Sequence, residues 1–387
     1  MSRPPSRVLS LVAVLALAFP AAALAKVKVG FVNSTTGPEA PIAEAISNGV
    51  NLALEDLAKQ GVEIELVRQD DTGKPTVAMS AMEQLATGDE VVAVVGPYTS
   101  ACANAMAKLA QTYKVPLLIP VASKEDITRQ GYQWVFRLNA PVHNYSQQLI
   151  DMVTTLGTAK SIAFIYESTD FGTSAATMGK EYAIKKGLTV LADEAYQKGA
   201  PDYRSTLTKL KSLKPDLLFM VSYVADAVLI MRQARELGLT PLAFLGGGAG
   251  FDTTQFESEK DISTSVFSVT QWTKDTGWPG AAEFNARYQA RYGKRPTYHA
   301  ATGYASMMIM GDTVAKAGGD RKKVREALAA GSWKSIMGDV KFVTSDGFTN
   351  QNFVIMPVIQ YQAGKAETVY PPQFAKTKAV FPFPGWK

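Results

Sequence analysis

A strict alternation of short apolar runs and longer amphipathic stretches, kept up twice along the chain, limits the fold more than any other feature of the 387 residues. The periodicity predicts strands over residues 26–32 and 62–67 and helices over 40–60 and 75–87. Ile42, Ile46, Val50, Leu54 and Leu57 share one face of the first helix, and Pro75 suits the first turn of the second. Between residues 91 and 128 the pattern sharpens. An apolar strand at 91–95 runs into the turn Gly96-Pro97-Tyr98-Thr99-Ser100 and an Ala-rich helix to Tyr113. A second apolar run at 116–119 then ends in Pro120-Val121-Ala122-Ser123. Such runs suit parallel strands buried on both faces, and a right-handed crossover sets both strand ends at one edge of the sheet. Hydroxyls and unsatisfied helix amides at that edge suit an anion, with a carboxylate as the first expectation.

A second series begins after Pro141, with strands expected at 161–166, 188–192, 216–221, 242–245 and 263–270 and helices between them. Two series predict an α/β protein of two doubly wound parallel-sheet lobes. Lobe one takes residues 26–141 plus 272–345, and lobe two takes 142–271 plus 346–387. The chain then crosses three times, the last near 344–349 before a strand expected at 352–361 on lobe two, and a cleft between hinged lobes suits closure over a small molecule. The Pro- and aromatic-rich tail, 369–387, has no assignable period.

Arg3 and Arg7, the apolar run 8–19 and the sequence Ala23-Leu24-Ala25 have the form of a secretory signal peptide over residues 1–25. Its removal leaves 38 basic and 35 acidic residues (40 − 2 against 35), scattered rather than striped, which argues against a nucleic-acid partner. One cysteine, Cys102, excludes an internal disulfide. No GxGxxG follows the first strand, no GxSxG occurs, and Gly246-Gly247-Gly248 lacks the lysine and hydroxyl of a phosphate loop. His143 and His299 stand far apart without ligands at metal spacing. No cofactor, metal or catalytic set is therefore expected, and a binding protein is favoured over an enzyme.

The ordered motifs Thr36-Gly37-Pro38, Leu66-Val67-Arg68-Gln69-Asp70-Asp71, Val95-Gly96-Pro97 with Ser100, Arg137-Leu138, Asp170-Phe171-Gly172, Pro215-Asp216 and Arg232 to Leu239 span nearly the whole chain after residue 25. Together they resemble the periplasmic leucine/isoleucine/valine-binding proteins. The resemblance implies a type I periplasmic-binding-protein fold and a soluble periplasmic receptor that passes a small ligand to an ABC transporter permease in the membrane. It implies that Ser100 holds the ligand's carboxylate, that Ala122 and Ser123 form a second binding turn beside Tyr98, and that Tyr223 and Phe171 face the ligand from lobe two. Branched-chain or other apolar amino acids are the ligands it implies first. The acid that would pair with an ammonium falls at about Gly248, and Ile42 stands where an aromatic is common. Either another acid substitutes, Asp226 and Asp252 being nearest in sequence, or the ligand is an ammonium-free organic acid, aromatic acid or amide. Ser100 and Ser123 also admit a plainer reading as helix caps, and Tyr223 as a strand-end aromatic.

Mass spectrometry of the exported protein is expected to find Lys26 at the N-terminus; an intact Met1 would overturn the signal-peptide reading.

Overall fold

Apolar runs flanked by turn residues form most of the strands of the computed structural model, which describes residues 26–386; the expected signal peptide lies outside them. The first strands are β1 (Val27–Asn33), β2 (Ile64–Asp70), β3 (Ala93–Val95), β4 (Leu117–Ile119) and β5 (Val135–Arg137). The second series is β6 (Ser161–Glu167), β7 (Thr189–Tyr196), β8 (Leu217–Val221), β9 (Ala243–Gly246) and β10 (Phe267–Val269). Short strands follow: β11 (Ser332–Ser335), β12 (Gly338–Lys341), β13 (Val343–Ser345), β14 (Phe348–Gln351), β15 (Val358–Gln362) and β16 (Lys365–Tyr370).

Two seven-stranded sheets result, in the orders β2-β1-β3-β4-β5-β14-β13 and β7-β6-β8-β9-β10-β15-β16. The first five strands of each sheet follow the same order and run parallel. Their inner members are buried on both faces, as at Val94, Leu118, Phe164, Phe219 and Leu245. The sheets are not wholly parallel as expected. β13 pairs antiparallel with β14 and β15 with β16, because tight turns join each pair where a parallel pair would need a crossover, and β15, which returns from the other lobe, also pairs antiparallel with β10.

The third crossing also falls later than predicted. β14 pairs with β5 at Gln351 and Arg137, so residues 346–351 complete the first sheet, and the chain returns to the second through residues 352–357. Side chains tie the crossings together. Gln351 Nε2 donates to Asn139 O at 2.7 Å, Asn352 Nδ2 to Leu138 O at 2.9 Å, and Ala140 N to Gln271 Oε1 at 3.3 Å. The aperiodic tail belongs to the second lobe. Phe383 N donates to Leu242 O at 2.7 Å, Trp386 Nε1 donates to Leu239 O at 2.8 Å, and both rings pack on Phe244.

Arg137 anchors the base of this hinge with no exposed surface. Its guanidinium donates to Gln351 Oε1 at 2.6 Å, Lys124 O at 2.6 Å and Thr128 Oγ1 at 2.7 Å. These oxygens offset the desolvation of a buried charge. Arg137→Ala is expected to destabilise the fold by about 3 kcal/mol or more, by stranding buried acceptors and leaving a void. The denaturant midpoint checks this, and an unchanged midpoint would show that the hinge does not depend on the guanidinium.

Candidate functional site

Strand order reverses between β1 and β3 in one sheet and between β6 and β8 in the other. In open α/β sheets the crevice at such a point, beyond the carboxyl ends of the strands, is where ligands sit. Turns leaving those ends meet around one small interlobe cavity of about 20 Å³. Tyr98 and Ser100 come from the turn after β3, Val121, Ala122 and Ser123 from that after β4, Phe171 from β6, Tyr223 from β8 and Ala249 from β9. Tyr145 and Tyr298, both helical, complete the wall. That volume holds about one water, far below the roughly 300–1,000 Å³ of ligand pockets.

Ser100 is not the helix cap. Thr99 caps the helix Ser100–Tyr113, its Oγ1 accepting from Cys102 N at 3.3 Å. Ser100 Oγ instead accepts from Ser123 N at 3.2 Å and Lys124 N at 3.1 Å, which joins the two hydroxyl-bearing turns into one pole. Ser123 is no cap either: the next helical turn, Glu125–Thr128, has Lys124 in that position.

The opposite walls are aromatic. Tyr98 meets Tyr223 edge-on at 6.0 Å, Tyr223 lies 5.9 Å from Phe171, and Phe171 lies 6.3 Å from Tyr145. Burial pushes the phenols of Tyr98, Tyr223 and Tyr298 well above their ordinary range and raises that of Tyr145. All four remain neutral O–H donors. Tyr98 Oη has no hydrogen-bond partner among the described residues. Tyr145 Oη accepts from Asn139 Nδ2 at 3.1 Å and Gln271 Nε2 at 2.7 Å, so a cavity ring is tied directly to two of the crossings. Burial likewise drives the Cys102 thiol up to about 12, which removes it as a nucleophile at neutral pH.

Six of the eight residues expected in the site therefore share one cavity: Tyr98, Ser100, Ala122, Ser123, Phe171 and Tyr223. Gly248 stands at its wall with φ +75°, where a Cβ would lie 3.4 Å from Tyr145 Cε2 and 3.7 Å from Tyr298 Oη. A side chain there would stand in ordinary contact with two aromatic rings, on a backbone conformation that favours glycine. Ile42 departs from expectation. It lines a neighbouring interlobe pocket of about 220 Å³ with Val224, Tyr288 and His299, because its helix runs past the cavity's edge. Burial, with the Arg295 charge second, lowers the His299 imidazole to about 3 and keeps it neutral. Neither acid considered as a substitute reaches the cavity. Asp226 accepts from Gly199 N and Tyr203 Oη, while Asp252 binds Arg295 Nη2 at 3.0 Å and Thr270 Oγ1 at 2.6 Å. Sequence reasoning missed Tyr145 and Tyr298, whose helical positions gave no local signal.

The profile of the family described as periplasmic binding protein matches residues 26–365. A Leu/Ile/Val-binding protein homologue of Brucella suis is 30% identical over 385 residues, covering 94% of this chain and 95% of that protein. The crystal structure of a leucine-binding protein from Thermotoga maritima superposes with a TM-score of 0.81 at 24% identity, covering 89% of this chain and 98% of that one. A solute-binding protein of an ABC transporter from Rhodopseudomonas palustris, in complex with 3,4-dihydroxybenzoic acid, gives 0.79 at 24% identity, covering 92% and 98%. At such identity the two structures speak for the fold alone.

Ser100→Ala is expected to lower the stability of the ligand-free protein by about 1–3 kcal/mol, because two amides lose their shared acceptor. Ser123→Ala is expected to act first on ligand affinity, by a similar amount. Denaturant titration and calorimetry of both variants separate the effects; an unchanged midpoint for Ser100→Ala would show that its bridge between the turns is dispensable.

Proposed function

Because the chain belongs to the periplasmic binding protein family, we propose that it is the exported receptor of an ABC importer and captures a small amine-free carboxylate, aromatic in body, between its lobes. It delivers that ligand to a membrane permease and does no chemistry on it. The observation that carries the ligand reading is the character of the cavity: a serine pole and neutral phenols around it, with no carboxylate among its lining residues. A carboxylate gains from hydroxyl and amide donors in a dry site, whereas an ammonium needs an acceptor of opposite charge once desolvated. The rings of Tyr98, Phe171 and Tyr223 offer a flat body edge and face contacts.

The names of the relatives favour a branched-chain amino acid, and the neighbour with a dihydroxybenzoic acid shows that this fold also takes an aromatic acid. The walls of this cavity favour the second. Closure follows from the same geometry. Tyr145 and Phe171 belong to the second lobe and Ser100 to the first, so a ligand touching all three bridges the lobes and stabilises the closed form by mass action.

A thermal-shift screen of leucine, isoleucine, valine and phenylalanine against their deaminated analogues and against benzoate and 3,4-dihydroxybenzoate tests the reading. Stabilisation by acids without an amine is expected. Tight binding of leucine that vanishes when its amine is removed would overturn it.

A further inference from the structure

At the edge of the cavity the protein carries a cation site already filled by its own side chain. Lys198, in the turn after β7, forms an ion pair with Glu39, in the turn after β1, so the two groups come from opposite lobes. The Glu39 side chain is almost fully buried, with 1% of its surface exposed, and that of Lys198 retains 23%. The Lys198 ammonium also lies over the ring of Tyr223, 4.5 Å from its centroid, and Tyr223 is a wall of the cavity. A buried carboxylate and an aromatic face are the two features that hold an ammonium in a desolvated site.

The acids nearby are held differently: Asp170, next to Phe171, pairs with Lys124 of the other lobe at 3.1 Å, and both of those side chains keep more exposed surface than Glu39 does. Glu167 and Asp226 also lie in the field of Lys198. The Glu167 carboxylate accepts from Thr169 N and Gly172 N at 2.6 Å each, and Asp226 is held by Gly199 N and Tyr203 Oη. Glu39 is different. Its Oε1 faces Lys198, and its Oε2 has no hydrogen-bond partner among the described residues. The second oxygen lies against Gly73, where a Cβ would approach it to 2.8 Å, so a side chain at that position would push the carboxylate out of its place.

We propose that Lys198 is a specificity-determining residue: its ammonium occupies the cation position between Glu39 and the Tyr223 ring beside the ligand cavity, so an amine-free acid completes the site and an α-ammonium finds Glu39 already paired. The inference rests on the amine-free reading given above. It adds the reason for that preference, and it predicts that the preference can be moved by a single side chain. An α-amino acid brought against the intact pair places two ammonium groups at one carboxylate, a like-charge contact that disfavours binding.

Calorimetry of the wild type, Lys198→Ala, Lys198→Met and the double variant Lys198→Ala/Glu39→Gln tests this. The probes are two matched pairs, leucine with 4-methylpentanoate and phenylalanine with 3-phenylpropanoate. The single variants are expected to bind at least one amino acid ten or more times tighter than the wild type does. The double variant is expected to lose that gain, because the carboxylate that receives the amine is gone; a gain that survives in it would mean merely a wider cleft and would overturn the proposal. No gain in either single variant, with ligand-free melting points within a few degrees of wild type, overturns it too and leaves the amine-free reading standing. A wild type that already prefers the amino acid of each pair refutes that reading itself, and the proposal falls with it.

Discussion

Parallel strands linked by right-handed crossovers have all their carboxyl ends at one edge, and most of the cleft descends from that constraint. Seven turns contribute: those after β1, β3 and β4 from one sheet, and those after β6, β7, β8 and β9 from the other. None of the groups they carry is near its partners in sequence. Ser100 and Ser123 become one pole only because β3 and β4 are neighbours, and Glu39 meets Lys198 only because two sheets of the same strand order are set edge to edge.

The constraint also explains the division of labour among the polar groups. Acids near the cleft are held by backbone amides or by cations, as with Glu167 at Gly172 N and Asp252 at Arg295. What remains facing the cavity is neutral: two serines and a set of phenols that burial keeps protonated. A neutral donor-rich wall in a low-dielectric space discriminates by charge without presenting any charge of its own, since the ligand's ionised end must be matched or left desolvated.

The first ten strands and the turns they feed were legible in the sequence, because strands buried on both faces read as apolar runs bounded by Gly, Pro and Ser. The two hydroxyl-bearing turns with Ser100 and Ser123 follow from where those runs stop, while Ala122, Phe171 and Tyr223 were implied by the resemblance. Of the strands after residue 330, the one expected at 352–361 forms as β15 at Val358–Gln362, and the others were not legible. Ser332–Ser335 and Val343–Ser345 are short, partly exposed edge strands whose side chains carry no clear period, and their pairing is set by the sheet they join. Nothing local marks Tyr145 and Tyr298, which lie in helices, or Lys198, which lies in a turn. Their roles depend on which faces two lobes present to each other, a long-range fact that no window of a dozen residues contains.

Both sheets are finished by strands from the end of the chain: β13 and β14 complete the first, β15 and β16 the second, and the tail to Trp386 packs on the second lobe beside β9. Until those residues arrive, β5 and β10 are open edges with unpaired backbone groups. For a polypeptide threaded N-terminus first through a narrow pore, neither lobe can close before almost the whole length has passed. In such a passage both sheets would stay incomplete, and the native state with them, until nearly the whole chain had emerged.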